Sequence, residues 1–246
     1  MTDFNSDGGP DFVLQKTSPH NTAVLYLANN VVIGGGLGPT LPAGWSLRCA
    51  ADFNGDGHTD YALLNVVNGQ TVIVYLSGLS VIGAALGPSL PSGWELVAAA
   101  DFNDNGHPDY VLYNPGTGQT VIVYLNNNVI VGVSFGAILP AAWSLVAAAD
   151  FNGDGHPDFA LFNSSTGQTV IGYLSGVTVI GAALGPTLPP DWPLVAAADF
   201  DGGGHPDYLL YNANTGQTVI GYLNNNVLVN AALGPALPVE WTLTWP

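Results

Sequence analysis

The residues of this chain best suited to chemistry lie in the stretch DFNGDGHTD at residues 52–60. Its oxygen-bearing side chains stand at positions 1, 3, 5 and 9 of a nine-residue loop, and a glycine stands at position 6. In such a loop alternate residues point inward, glycine takes the sharp turn, and position 7 offers its backbone carbonyl. Oxygen ligands in this pattern suit a hard dication, so the stretch predicts a calcium site.

The same loop occurs five times, and its first aspartate steps through residues 3, 52, 101, 150 and 199 at a constant spacing of 49. The candidate ligands at positions 1 and 9 are Asp3, Asp52, Asp101, Asp150, Asp199 and Asp11, Asp60, Asp109, Asp158, Asp207. Those at positions 3 and 5 are Asn5, Asn54, Asn103, Asn152, Asp201 and Asp7, Asp56, Asn105, Asp154. Backbone carbonyls at position 7 belong to Gly9, His58, His107, His156 and His205. We therefore expect up to five calcium ions.

The five copies differ at position 5. Asn105 in the third copy keeps an oxygen but loses a negative charge, and Gly203 in the fifth copy offers no side-chain ligand. We expect the fifth site to bind calcium most weakly, with water filling the gap. The alternative is that the loops are Asx-turns without metal. Several carboxylates and amides facing one point repel one another without a cation, which favours the metal.

Four short strands are predicted in each 49-residue unit, because glycine, proline and asparagine separate runs rich in β-branched and aromatic residues. In the third unit they are Trp94–Ala100, Tyr110–Tyr113, Gln119–Leu125 and Val129–Val133. Four strands repeated five times predict an all-β, five-bladed β-propeller of four-stranded antiparallel blades. The small residues of the first strand suit the crowded centre of the ring.

Ring closure is predicted from the two ends of the chain. The first unit lacks the strand that should precede its loop, and Trp241–Trp245 supplies such a strand at the other end. We expect this C-terminal strand to close the ring. Residues 1–246 then form a single domain of repeats at about 2–50, 51–99, 100–148, 149–197 and 198–246. A fragment of a larger ring is the alternative.

The loop pattern, the four-strand unit and the period together resemble the FG-GAP or VCBS repeat family, which is also found in integrin α-subunit heads and some fungal lectins. The resemblance covers the whole chain in five in-phase copies. It implies a propeller with calcium between the first and second strands of each blade, and a role in adhesion, ligand binding or carbohydrate recognition. An EF-hand is excluded, because position 12 is a leucine in every copy instead of an acidic ligand.

Charge and composition exclude several classes of protein. The net charge is −16, and the only cations are Lys16 and Arg48, so nucleic acid is not expected as a partner. Fifteen of the 18 acidic residues lie in the five loops. Cys49 is the only cysteine, which excludes an internal disulfide. Serine and glycine interrupt the apolar stretch 71–87, so we expect no membrane span.

No catalytic constellation is apparent, and we expect no enzyme. The four histidines at position 7 belong to different blades, so they cannot converge on a zinc ion or a substrate. Glu95, Asp191 and Glu240, the acids outside the loops, lie in different units and form no pair for glycoside hydrolysis. The sequence contains no nucleophile elbow and no phosphate-binding or dinucleotide-binding motif.

A tryptophan recurs once in each unit, three residues after a proline, and it is the main candidate for ligand recognition. Indole rings beside amides could hold sugars, and the candidates are Trp45, Trp94, Trp143, Trp192, Trp241, Asn114, Gln119, Asn163, Gln168, Asn212 and Gln217. The competing interpretation is that the tryptophans wedge between adjacent blades, which we favour for any single one.

We therefore predict a calcium-binding recognition module that binds carbohydrate at several equivalent sites. The alternative is a protein-binding, adhesion or scaffold module of a cell-surface protein. We expect a monomer whose partner is a glycan or a surface protein. An extracellular or cell-surface location is expected from calcium dependence alone, since the chain as given shows no signal peptide.

Overall fold

The computed structural model describes residues 2–244, and every helix or strand assigned within this range is a β-strand. These strands form five antiparallel sheets of four strands each. The predicted all-β, five-bladed β-propeller is therefore confirmed.

The strands of each blade follow one another in the chain, except in blade 1. Blade 1 contains β1 (Phe12–Lys16), β2 (Asn21–Ala28), β3 (Val31–Thr40) and β20 (Trp241–Thr244). Blade 2 contains β4 (Trp45–Ala51), β5 (Asp60–Asn65), β6 (Gln70–Ser77) and β7 (Ser80–Ser89). Blade 3 contains β8 (Glu95–Ala100), β9 (Asp109–Tyr113), β10 (Gln119–Asn126) and β11 (Val129–Ile138). Blade 4 contains β12 (Ser144–Ala149), β13 (Asp158–Phe162), β14 (Gln168–Ser175) and β15 (Thr178–Thr187). Blade 5 contains β16 (Leu194–Ala198), β17 (Asp207–Asn212), β18 (Gln217–Asn224) and β19 (Val227–Ala236).

The blades form a closed ring. Each outer strand contacts the outer strands of both neighbouring blades, and the contact of β19 with β3 completes the circle. The inner strands of blades 2 to 5 carry the alanine runs and line a central cavity of about 610 Å³. Small side chains are required there because the blades converge toward the axis. The sequence repeat starts at an acidic loop, so each repeat begins after the inner strand of its blade.

The C-terminal strand β20 closes the ring by pairing with β1, as predicted. Leu14 lies opposite Leu243, and Lys16 lies opposite Trp241. The Thr242 hydroxyl donates to the Gln15 carbonyl at 2.9 Å. Blade 1 is therefore completed by both ends of the described chain. Trp245, which the sequence placed in the same strand, lies outside the described residues.

Apolar side chains from adjacent blades pack into five clusters, one at each junction between blades. Each cluster contains an aromatic pair built from the phenylalanine at loop position 2 and a ring on the next blade. Phe53 meets Tyr110 edge to face, with ring centroids 5.8 Å apart, and Phe200 meets Phe12 in the same way across the closure. Burying such a ring stabilises the fold by roughly 1.5–3 kcal/mol, so the junctions hold the blades together.

The outer strands are longer than the sequence predicted. β11 runs from Val129 to Ile138 instead of ending at Val133, and its last residue pairs with Gln119. The glycines at 132 and 136 resemble strand ends in sequence, but the ladder continues past both. The outer strands expose apolar side chains to solvent in all five blades; in blade 3 Val131 and Phe135 are exposed.

Candidate functional site

The five acidic loops comprise residues 3–11, 52–60, 101–109, 150–158 and 199–207, and are named loops 1 to 5. In loop 2 the carboxylate of Asp52 accepts hydrogen bonds from the backbone N–H groups of Gly55 and Gly57, both at 2.8 Å. The Asn54 side-chain oxygen accepts from the Asp56 N–H at 2.9 Å. Asp56 Oδ1 accepts from the His58 N–H at 2.9 Å. Loop 4 repeats these contacts. Side-chain oxygens at positions 1, 3 and 5 are thus held inside the turn.

Glycine at position 6 is required by the backbone. Gly57 has φ of +86° and Gly155 of +91°, a left-handed conformation that side chains disfavour. Position 4 is also left-handed and is a glycine in loops 2, 4 and 5, whereas loop 3 places Asp104 there with φ of +58°. Aspartate tolerates this region better than most residues, so loop 3 keeps the same turn.

The aspartate at position 9 is fully buried in every loop. In loop 2, Asp60 Oδ2 accepts from the Phe53 N–H at 3.2 Å, and Oδ1 accepts from the Leu76 N–H at 2.9 Å. Leu76 lies on β6, two residues beyond the last β5–β6 pair, so the carboxylate extends the ladder. The other four loops make the same two contacts. The loop pattern predicts this residue only as a ligand; its position at the start of a buried strand is the signal for the structural role.

Burial raises the pKa of these position-9 carboxyl groups. The value is about 6 for Asp11, Asp60, Asp109 and Asp207, and the pKa of Asp158 is raised in the same direction. Loss of solvation is the largest cause, the two backbone hydrogen bonds oppose it, and nearby loop carboxylates raise the pKa further. The raised pKa means that burial disfavours the ionised carboxylate, and a nearby positive charge would offset this cost.

The oxygen atoms in loop 5 converge closely enough to share one ion. One carboxylate oxygen from each of Asp199, Asp201 and Asp207 lies within 4.8 Å of the other two. Asp201 at position 3 thus supplies a third carboxylate where Gly203 supplies none. By sequence, loops 1, 2 and 4 also hold three carboxylates on ligand positions, whereas loop 3 holds only Asp101 and Asp109. An all-oxygen, anionic donor set fits calcium in its chemistry.

Lysine and arginine do not neutralise the loops in any ion pair formed by the described residues. Lys16 Nζ lies 2.7 Å from Glu240 Oε2, outside the loops. The other pair joins His156 Nδ1 to Asp104 Oδ2 at 3.8 Å, between neighbouring blades. The position-7 histidines lie on separate loops. Two of them face the preceding loop: His156 faces loop 3, and the His107 ring lies beside Gly55 of loop 2.

The five tryptophans Trp45, Trp94, Trp143, Trp192 and Trp241 are half-buried, and each packs against the apolar cluster of one junction. The tryptophans therefore lie as wedges between adjacent blades. The amides near them bond to their own blade. Asn114 Oδ1 accepts from the Gly116 N–H at 3.0 Å, and Gln119 Nε2 donates to the Thr120 and Gly136 carbonyls. Asn163, Gln168, Asn212 and Gln217 repeat these contacts.

These features define a class of protein: a closed five-bladed β-propeller in which every blade carries an acidic, oxygen-rich loop directly before the second strand from the axis. Residues 52–112 and 101–161 each match the family model described as FG-GAP-like repeat. With the five-bladed fold and its in-phase loops, these matches support assignment of the repeats to an FG-GAP-type β-propeller repeat family. No curated protein matches the chain in sequence.

The chain is similar to several solved structures at low sequence identity. The Photorhabdus luminescens Tc holotoxin pore is 17% identical with a TM-score of 0.51, over 93% of this chain and 11% of that one. A protein of unknown function from Bacteroides caccae is 12% identical with a TM-score of 0.49, over 91% and 73%. Myxococcus xanthus glutaminyl cyclase is 14% identical with a TM-score of 0.48, over 82% and 81%. These similarities concern the fold alone.

Among the described residues 2–244, no helix is long and apolar enough to span a membrane.

Proposed function

We propose that this chain is a calcium-binding β-propeller recognition module without enzymatic activity. The observation that carries the proposal is the common geometry of the loops, in which side-chain oxygens at positions 1 and 3, and in loops 1 to 4 also at position 5, turn inward above a buried position-9 carboxylate. Bound calcium would supply the positive charge that this set of oxygens lacks. The expected setting is extracellular or at the cell surface, where calcium is abundant.

Thermal unfolding tests the metal part of this proposal. Ions that bind only the folded state stabilise it by mass action, about 2.7 kcal/mol per site when free calcium is 100 times Kd. Removing calcium with a chelator should lower Tm markedly, and adding it back should restore Tm. Magnesium should substitute poorly, because it resists flexible all-protein oxygen cages. An unchanged Tm on chelation and calcium return would count against calcium binding.

Carbohydrate is the first candidate ligand, and the half-buried tryptophans at the five junctions support it. An exposed indole face can cover the apolar face of a sugar ring. The nearby amides already form hydrogen bonds to the backbone of their own blade. Sugar hydroxyls would therefore bond chiefly to the free lone pairs of the amide oxygens and to water. A glycan array with and without chelator tests this candidate, and folded protein that binds no glycan would reject it.

Protein binding is the second candidate, and the outer strands favour it. Every blade presents an apolar, uncharged strand edge to solvent, with side chains such as Ile33, Ile82 and Ile180 more than half exposed. Exposed apolar patches of this kind commonly mark protein interaction sites. Specific binding to one surface protein, unaffected by free sugars, would favour this role over carbohydrate recognition.

A further inference from the structure

The junction between blades 3 and 4 departs from the repeat at one buried position of the third strand. Gly172 stands on β14 where the first three blades carry Leu25, Val74 and Val123 at the same position of the 49-residue unit. It lies between Phe159 and Ala182 in the sheet. A Cβ added at Gly172 would meet no atom within 4 Å. The missing side chain therefore leaves an open recess.

Blade 5 also has a glycine at this position, but its recess is filled. A Cβ added at Gly221 would lie 3.1 Å from Leu228 Cδ1, on the outer strand of the same blade. The corresponding residue of blade 4 is Val179, whose side chain is one methylene shorter. The pair of Gly172 and Val179 thus occurs only in blade 4, and it keeps the recess open there.

The outcome is a cavity of about 340 Å³ between blades 3 and 4. One wall is blade 4, with Gly172, Phe159 and Val179. The other wall is formed by the end of β11 and the connection that follows it, and includes Ile138 and Trp143. Three other blades carry threonine or serine at the position of Ile138. The junction between blades 5 and 1 has a smaller recess of about 280 Å³, where Leu25 replaces the glycine.

The cavity offers a ligand no charged side chain and few free polar groups. Several of its backbone polar atoms are already bonded within the protein. The Trp143 carbonyl accepts from the Tyr113 hydroxyl at 2.9 Å, and the Leu139 N–H donates to the Gly118 carbonyl at 2.8 Å. A sugar entering this space would lose hydrogen bonds to water without replacing them, whereas an apolar group would lose none.

We infer that this cavity binds a small, uncharged apolar molecule or group, such as a substituted benzene ring or a branched alkyl chain. Its volume is at the lower end of the range of about 300–1,000 Å³ found for ligand pockets. A dry cavity of about 150 Å³ lined by leucine, isoleucine and phenylalanine already accepts benzene. Trp143 provides an aromatic face for the ligand. The site is a single one and requires no metal ligand. At this junction it takes the place of the sugar site proposed at Trp143.

Calorimetric titration of the calcium-saturated protein with toluene tests the inference. Wild type should bind saturably. Gly172→Val and Val179→Leu, which copy residues of other blades into the cavity, should each weaken toluene binding by about tenfold or more. Val81→Leu, the same change on the outer strand of blade 2, should leave the affinity unchanged.

Two results would overturn the inference: no saturable toluene binding by wild type, or wild-type affinity in both filling variants. Circular dichroism and Tm establish that each variant is folded. Val179 is about half exposed, at 47%, so its replacement by leucine tests the cavity even if the buried change at Gly172 impairs folding. Equal weakening by Val81→Leu would also contradict a single site at the junction of blades 3 and 4.

Discussion

Asp60 Oδ1 accepts a hydrogen bond from the backbone N–H of Leu76 at 2.9 Å, which ties an acidic loop to the third strand of its blade. The other oxygen of the same carboxylate holds the Phe53 N–H, and the Phe53 ring packs against Tyr110 of the next blade. One buried carboxylate therefore links the loop, its own sheet and the junction to the neighbouring blade. Because of this link, a change that orders or disorders the loop should also stabilise or destabilise its blade.

Replacing Asp60 by alanine should destabilise the protein even without metal. The N–H groups of Phe53 and Leu76 would lose their acceptors while buried, at a cost of about 1–3 kcal/mol each. Urea unfolding in calcium-free buffer measures the loss. Asp56→Ala is the matched control, because Asp56 is exposed and should contribute much less. Equal stability of the Asp60 variant and wild type would contradict the structural role of position 9.

The metal-free protein should become less stable as the pH rises through about 6. The pKa of the buried carboxyl groups is raised from 3.8 to about 6 in the fold, as for Asp60 and Asp207. A group whose pKa is higher folded than unfolded contributes stability below the unfolded pKa, and this contribution is lost as the pH passes the folded pKa. Thermal melts of metal-free protein between pH 4.5 and 7.5 should show a falling Tm.

Excess calcium should remove most of that pH dependence above pH 6, because the ion stabilises the ionised carboxylates. The same melts in saturating calcium provide the comparison. A metal-free Tm that rises between the acidic and neutral ends of the series would contradict the direction of the pKa shifts.

Loop 3 should respond to an added charge at position 5. Asn105→Asp restores the carboxylate that loops 1, 2 and 4 carry, and should strengthen calcium binding at this loop by about 1–2 kcal/mol. Without calcium the same change adds repulsion with Asp101 and should lower stability. Calorimetry and calcium-free melts measure the two effects. If Asn105→Asp lowered calcium affinity as well as calcium-free stability, or raised both, residue 105 would not face a metal.

The ring closure should depend on packing more than on its ion pair. Trp241→Ala removes a half-buried ring from the cluster between blades 5 and 1 and should cost roughly 2–4 kcal/mol. Lys16→Ala breaks the exposed pair with Glu240 and should cost at most about 1 kcal/mol. Urea unfolding of the two variants gives the comparison. A larger loss of unfolding free energy for Lys16→Ala than for Trp241→Ala would mean that the ion pair stabilises the closure more than packing does.

The fold was predictable from sequence because its signal is repeated five times. The 49-residue period, the strand boundaries and the strand that completes blade 1 all depend on local composition that recurs in phase. The length of the outer strands was not predictable, because glycines such as Gly136 interrupt the pattern without ending the ladder.

The candidate site was only partly predictable. The loop ligands follow from spacing, but the second contact of Asp60 lies 16 residues away in sequence, and no local pattern indicates it. The recess at Gly172 depends on the length of Val179, a residue on another strand. Such tertiary relationships become visible only when the strands are placed side by side.

The calcium content of the purified protein tests the central claim most directly. Protein dialysed against buffer containing about 1 mM free calcium, a concentration in the range of Kd values of extracellular sites, should hold several ions per chain and at most five by elemental analysis, after the calcium of the buffer is subtracted. Asp52→Ala, which removes a position-1 carboxylate, should lower that number by about one, since each ion needs several oxygen ligands. A calcium content near zero in folded wild-type protein would contradict the account.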